Sequence, residues 1–576
     1  MNYISKKTIL FVTAAASLLL TGCVKEVFPS NGTLTDDQVK DYPVSMQIDG
    51  IAVSMMSANT AGFYSTYGDQ TDFGIPSIHL RTEYMLEDIV SVGNRNYNQF
   101  NTYVADLYMS ADYQYCSYFW ACYYMWIKGA NDVIGKIDPN TEDAEEQKVL
   151  AQAYTFRAMF YLDLARLYLP LENPSETGYQ VYGDIIGLTV PKVTEKTTEQ
   201  DAINNPRVPW LEMYEFILSD LKTAEEYFGG SSDNNYLYPT LGAVYGLYAR
   251  TYLEIGANYE ELEYNTTESR AAYKEAARYA QLAITTSGKT PLTQAQWEDP
   301  TTGFNNGASN NSWIWGLSVS AMRIMNISNF ATYMAPEATW GYGCRVLPAI
   351  NNKLYEQIPE ADFRKHSWLD PNWEEFRTTG NRTYKYDYKF CGDDDDVANF
   401  KSYARPYTNI KFRPATGEVS NYAVGSCSDH PLMRVEEMYF IMMEATVKSQ
   451  NTTQSGITEL NLPSAPEQLE EFMNQYRYTD NSYTCEATRV DDFIEEMMLQ
   501  KRIEFWGEGV LMYDYKRLDL GISRSSSNFD DRFAFDTQAR SPQWNIVIPR
   551  SEIQSNAGIS EYQNNPDPSG FYANRQ

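Results

Sequence analysis

Histidine is almost missing from this chain. Its three copies, His79, His366 and His430, lie far apart and form no His-x3-His pair, so a helical zinc site is not written here. No Gly-x-Ser-x-Gly elbow is present, which removes the usual sign of an esterase-type serine nucleophile. Ser287-Gly288-Lys289-Thr290 ends like a phosphate-binding loop, but Ala283 stands where the earlier glycine is required and Pro291 follows. Basic residues are short as well. With 46 Lys and Arg against 76 Asp and Glu, the net charge of −30 would repel a nucleic-acid backbone and gives no help on an anionic membrane surface. Cysteine is sparse, seven in 576 residues, with no Cys-x-x-Cys spacing. Six of them (Cys116, Cys122, Cys344, Cys391, Cys427 and Cys485) could form disulfides or remain buried thiols, and the sequence does not choose.

Carboxylates are plentiful, so pairs such as Glu83/Glu87/Asp88 and Glu495/Glu496 are what chance supplies, and none is assigned as a glycosidase pair. Asp393 to Asp396 lacks the glycine and alternation of a calcium loop and reads as a solvated acidic loop. The expectation is a protein that is not an enzyme and needs no cofactor or metal.

What is present begins at the amino terminus. Lys6 and Lys7 precede an apolar run from Ile9 to Leu20, too short to cross a bilayer, and Leu20-Thr21-Gly22-Cys23 comes next. This pattern is a lipoprotein signal peptide over 1–22, with Cys23 lipidated as the first mature residue. Polar and turn-forming residues then make a tether over 23–44. No later run is long enough to span a membrane, so the lipid should be the only membrane contact. Aromatic residues reach 14%, led by 46 Tyr, a residue that joins a flat apolar face to a wettable hydroxyl and suits sugar recognition.

Helical spacing marks segments near 117–137, 145–169, 210–228, 239–256 and 270–286. Small residues at Gly242, Gly246 and Ala249 allow close helix contact, which predicts paired, tetratricopeptide-like helices. Between 291 and 430 the texture changes: Gly, Asn, Pro and Thr cluster, and Trp313, Trp315, Trp340, Trp368 and Trp373 appear. Helical patterns return after 430 and near 490–506.

Residues 498–520 are the most distinctive stretch. Lys501, Arg502 and Glu504 run into Trp506, the chain breaks at Gly507-Glu508-Gly509, and Tyr513, Asp514, Lys516 and Arg517 come after. Charges set among Ile503, Phe505, Trp506 and Leu511 should be paired in the interior, because an unpaired buried charge is costly. This stretch resembles the carboxy-terminal signature of the SusD/RagB family, surface lipoproteins of Bacteroidetes nutrient uptake. Four other segments match as well: Trp120 to Ile134, Ala151 to Leu164, Pro431 to Ala445, and Trp544 to Ile553. In the last of these, Val547 and Arg550 depart from the family pattern.

The resemblance implies a mainly α, tetratricopeptide-like helical scaffold with an amino-terminal repeat region over 45–290. A carboxy-terminal region over 291–576 would include a loop-rich insert, 291–430. It implies a non-catalytic, outer-membrane, surface-exposed lipoprotein that captures an oligosaccharide for a SusC-like TonB-dependent barrel. A RagB-like peptide-binding protein is the alternative, and a structural surface or adhesin protein a third reading. Family members build their binding face near the first repeat helix and from the insert. The regions to search are therefore 60–104, with Asp88, Asn94 and Tyr97, and 325–345, with Tyr333, Trp340 and Tyr342.

Overall fold

The computed structural model describes residues 44–56, 70–100, 109–172, 181, 183–308, 310–319, 329–373, 386–450 and 463–569. Signal peptide 1–22, Cys23 and the tether through residue 43 lie outside the described residues, as do 60–69, 101–104 and 325–328 of the two search regions. The chain divides into two units, Met1–Met46 and Gln47–Gln576, and the helices and strands from Ile75 onward all belong to the second.

Its principal elements are α1 (Ile75–Tyr84), β1 (Ile89–Ser91), α2 (Gln114–Lys136), α3 (Ala144–Tyr168), α4 (Trp210–Phe228), α5 (Leu241–Glu261) and α6 (Thr266–Ser287). Next along the chain are β2 (Trp313–Leu317), β3 (Pro348–Ile350), β4 (His430–Arg434), α7 (Val435–Lys448), α8 (Ala465–Tyr476), α9 (Val490–Glu504) and α10 (Leu511–Arg517). The fold is mainly α, with tetratricopeptide-like helix pairing.

Several helix ends have a local cause. Asp143 caps α3 by accepting the N–H groups of Glu145 and Glu146, and Asn265 caps α6 by accepting that of Glu268. Gly229 and Gly288 end α4 and α6 in the left-handed conformation. The Ser287-Gly288-Lys289-Thr290 stretch is therefore a helix stop. Neighbouring helices pack as α2 on α3, α3 on α4, and α5 on α6. The small residues of α5 are required: a Cβ on Gly246 would lie 2.2 Å from Met433 Sδ, and one on Gly256 2.7 Å from the Tyr273 ring.

α6 also packs on α7, across the boundary expected at residue 290. The insert has its own core. Trp313, Trp315, Trp368 and Trp373 are fully buried, and Leu369, Trp373, Phe400, Ala404 and Ile410 form an apolar cluster. Among the described residues, β2 and β3 of the insert pair antiparallel with strands outside it, β3 with β1 and β2 with β4. Asp393, expected in a solvated loop, caps the helix Asp394–Tyr403 through the N–H groups of Asp395 and Asp396.

Candidate functional site: a buried signature segment and a surface aromatic face

Glu504, at the end of α9, is the hub of the signature segment. Its carboxylate accepts from Arg477 Nε (2.7 Å), Arg434 Nη1 (3.1 Å) and Arg364 Nη1 (3.1 Å), all fully buried. Burial alone would raise the Glu504 carboxyl, but Arg477 and Arg434, with Arg364 behind them, hold it far below the usual carboxylate range. Arg434 also bonds Glu508 (2.8 Å) and Glu436 (2.9 Å), Lys411 bonds Glu508 (2.7 Å), and Arg364 bonds Asp362 (2.6 Å). Four cations thus face four carboxylates, and the cluster is neutral without water. The second half repeats the device: Asp514 accepts from Lys501 (2.7 Å) and Arg517 (2.7 Å), and Arg517 also meets Glu444.

The break between the two helices is held from α1. Gly507 and Gly509 adopt φ of +80° and +79°, and the Glu83 carboxylate accepts both of their N–H groups, at 3.3 and 2.8 Å. A Cβ at Gly507 would stand 2.6 Å from Phe412 Cε2, and one at Gly509 2.3 Å from His79 Cβ. Burial, offset in part by the Gly509 N–H, raises Glu83 to about 8.

His79 departs from expectation. Although 351 residues separate them, His79 and His430 meet inside the protein, Nδ1 to Nε2, at 2.8 Å. Burial lowers His79 to about 3 and His430 well below its usual value, so both rings are neutral at neutral pH. Among the described residues no group of three His, Cys, Asp or Glu could hold a metal. Cys116, Cys122, Cys344, Cys391, Cys427 and Cys485 carry free thiols.

The expected ligand residues separate into two groups. Asp88 is completely buried and both its carboxylate oxygens are taken by Arg502, at 2.9 and 2.6 Å. Its carbonyl accepts Trp506 Nε1 as well, so Asp88 anchors the signature segment. Tyr333 is 1% exposed and stacks between Phe73 (5.7 Å) and Tyr342 (5.0 Å); Tyr342 is buried too. Asn94, Tyr97 and Trp340 reach the surface. Tyr97 is 44% exposed, while Trp340 is half-buried against Tyr422.

The two search regions meet in space. Beyond the β1–β3 ladder, the N–H groups of Val92, Gly93 and Asn94 donate to the carbonyls of Leu347, Val346 and Arg345. Gly341, at φ +81°, lets consecutive rings part, Trp340 outward and Tyr342 inward. The Trp340 and Tyr422 rings stand edge to face at 5.7 Å and 79°, and Gly425 leaves room for them, since a Cβ there would lie 2.7 Å from Trp340 Cζ2. Sequence reading missed Tyr422, which lies 82 residues beyond Trp340 in a stretch without helical or strand periodicity.

A family model for SusD-like proteins, described as starch-binding and associating with the outer membrane, matches residues 68–253. The chain is SusD-like in sequence over that segment. Its fold is shared with a SusD superfamily protein of Bacteroides thetaiotaomicron VPI-5482, at 18% identity and TM-score 0.64 over 91% of this chain and 99% of that one. A SusD-like carbohydrate-binding protein of Bacteroides vulgatus ATCC 8482 aligns at 18% and 0.64, covering 90% and 97%. A laminarin-binding SusD-like protein aligns at 15% and 0.60, covering 91% and 98%. No curated protein matches the chain. The segment matched to the SusD-like family contains α1 and the turn bearing Asn94 and Tyr97, but not Trp340 or the signature segment.

Proposed function

We propose that this SusD-like chain is a glycan-capture lipoprotein of the outer-membrane surface, anchored through Cys23. It binds an oligosaccharide without cleaving it and hands it to a SusC-like TonB-dependent barrel. The observation that carries the binding reading is the partly exposed Trp340–Tyr422 pair, on a segment whose Arg345 carbonyl accepts the Asn94 N–H at the start of the surface turn bearing Tyr97. Aromatic faces take the C–H faces of a pyranose, and the neighbouring amide and hydroxyl groups can bond its hydroxyls. Asp88 and Tyr333 have interior roles, Asp88 holding Arg502 and Tyr333 stacking on Tyr342.

Trp340→Ala tests the reading. Glycan affinity should fall by about 2 kcal/mol, roughly 30-fold, with thermal stability nearly unchanged. Undiminished affinity, or a stability loss like that of a core tryptophan, would remove Trp340 from the site. A peptide array beside the glycan array separates the RagB-like alternative. Cys23→Ala should release the protein from the outer membrane, and wild-type retention would overturn the lipid anchor.

A further inference from the structure

Charge on the proposed face is uneven. Arg95 pairs with Asp530, which Arg532 shares. Glu418, next to the Trp340–Tyr422 pair, is occupied by its own turn, since its carboxylate accepts the N–H groups of Ser420 (2.9 Å) and Asn421 (2.7 Å). Arg345 is different. Its side chain is exposed, and among the described residues no carboxylate reaches its guanidinium, in a chain carrying 76 acidic residues.

The backbone of Arg345 sits where the two parts of the face join. Its carbonyl accepts the Asn94 N–H at 2.7 Å, and its N–H donates to the Tyr342 carbonyl at 2.8 Å. The adjacent Cys344 Sγ reaches the Trp340 carbonyl at 3.7 Å. An exposed arginine whose backbone is held at that junction offers a planar fork of N–H donors next to the segment that bears Trp340.

We infer that the glycan taken by this face is acidic, a uronate-bearing oligosaccharide whose carboxylate is held by Arg345 while a pyranose ring stacks on Trp340. This rests on the glycan-binding reading above. Fork-to-carboxylate pairing supplies two parallel charge-assisted bonds, the geometry that arginine matches and lysine does not. The net charge of −30 does not oppose it at contact range, because charges farther than about 8 Å are largely screened at physiological salt. An acidic peptide would also offer carboxylates, but the edge-to-face ring pair favours a pyranose face over a flexible peptide side chain.

The test compares matched oligosaccharides, galacturonan against galactan and glucuronoxylan against xylan, by calorimetry on the intact protein, with an aspartate-rich peptide alongside. A uronate-bearing member should bind more tightly than its neutral counterpart. Arg345→Ala should reduce that preference about tenfold or more, and Arg345→Lys should restore only part of it. Raising the salt should narrow the preference further. If Trp340→Ala weakens all glycans while Arg345→Ala leaves the preference intact, the face stands and the acidic assignment falls. Tighter binding of the neutral partner, or of the peptide, overturns the assignment as well. Glycan binding untouched by Trp340→Ala would remove the face itself.

Discussion

Around Glu504, three guanidinium groups converge on one carboxylate that no water reaches. Around Trp340, rings are only partly buried near an exposed arginine that, among the described residues, no carboxylate meets. Both places combine arginine with aromatic residues. In the first, cations also lie over rings, Arg434 4.7 Å from Phe505 and Lys411 4.6 Å from Phe304. The difference is completion: around Glu504 each charge is matched, because an unmatched one is costly at low dielectric. On the face, groups are left incomplete, and incompleteness is what a ligand can satisfy. Residues that carry the family resemblance therefore hold the scaffold, and the proposed binding face is built from residues with no shared motif.

The sharpest way to break this contrast is to make the interior incomplete. Glu504→Gln leaves Arg364, Arg434 and Arg477 sharing a neutral amide. Breaking a buried charge pair costs about 3–5 kcal/mol, so denaturant unfolding should register a loss of that size. Unchanged stability would mean that the cluster does not depend on its central charge. Arg502→Ala, which uncovers Asp88, should act in the same way and leave the ligand affinity of the folded fraction intact.

Much of this interior was legible in the sequence. Charges among Ile503, Phe505 and Trp506 had to be paired, and they are; Gly507 and Gly509 had to mark a break, and they do so at positive φ. The helices expected near 117–137, 145–169 and 210–228 lie within a few residues of α2, α3 and α4. The partners were not legible. Arg364 and Arg477 sit in stretches whose local patterns say nothing of burial, and Asp88 offered a carboxylate in a search region without revealing Arg502, 414 residues away. The tryptophans of the insert misled for a similar reason. Gly- and Asn-rich texture signals loops, yet Trp313, Trp315, Trp368 and Trp373 make a core there. His79 and His430 show the same limit, since separation along the chain says little about distance once strands and helices cross.

A smaller effect separates the two regions by pH. Burial raises Glu83 to about 8 from an ordinary value of 4.5, so the folded state holds its proton more tightly than the unfolded state does. Its stabilising contribution is full below the unfolded value and is lost as pH rises through the folded one, from 4.5 to about 8. Wild type should therefore lose more stability over this window than Glu83→Gln, by on the order of 2–3 kcal/mol. Parallel pH profiles for the two proteins would show that Glu83 does not titrate with folding. Glycan affinity of the folded protein should not track this titration, because Glu83 faces the Gly507–Gly509 turn and not the surface.

The smallest effect tests whether the face extends beyond Trp340. Tyr422 meets Trp340 edge to face, so its removal deprives the indole of a wall without emptying a core site. Tyr422→Ala should weaken glycan binding by about 1 kcal/mol, roughly fivefold, mainly through a less well-held Trp340. Tyr333→Ala supplies the contrast, since that ring is 1% exposed between Phe73 and Tyr342. It should cost about 3 kcal/mol or more of stability by opening a cavity. The folded fraction should bind glycan with an affinity closer to wild type than that of the Tyr422 variant. If Tyr333→Ala instead weakens binding more than Tyr422→Ala at equal folded fraction, ligand recognition runs along the buried Tyr333–Tyr342 stack, and the division between a completed interior and an open face fails at that point.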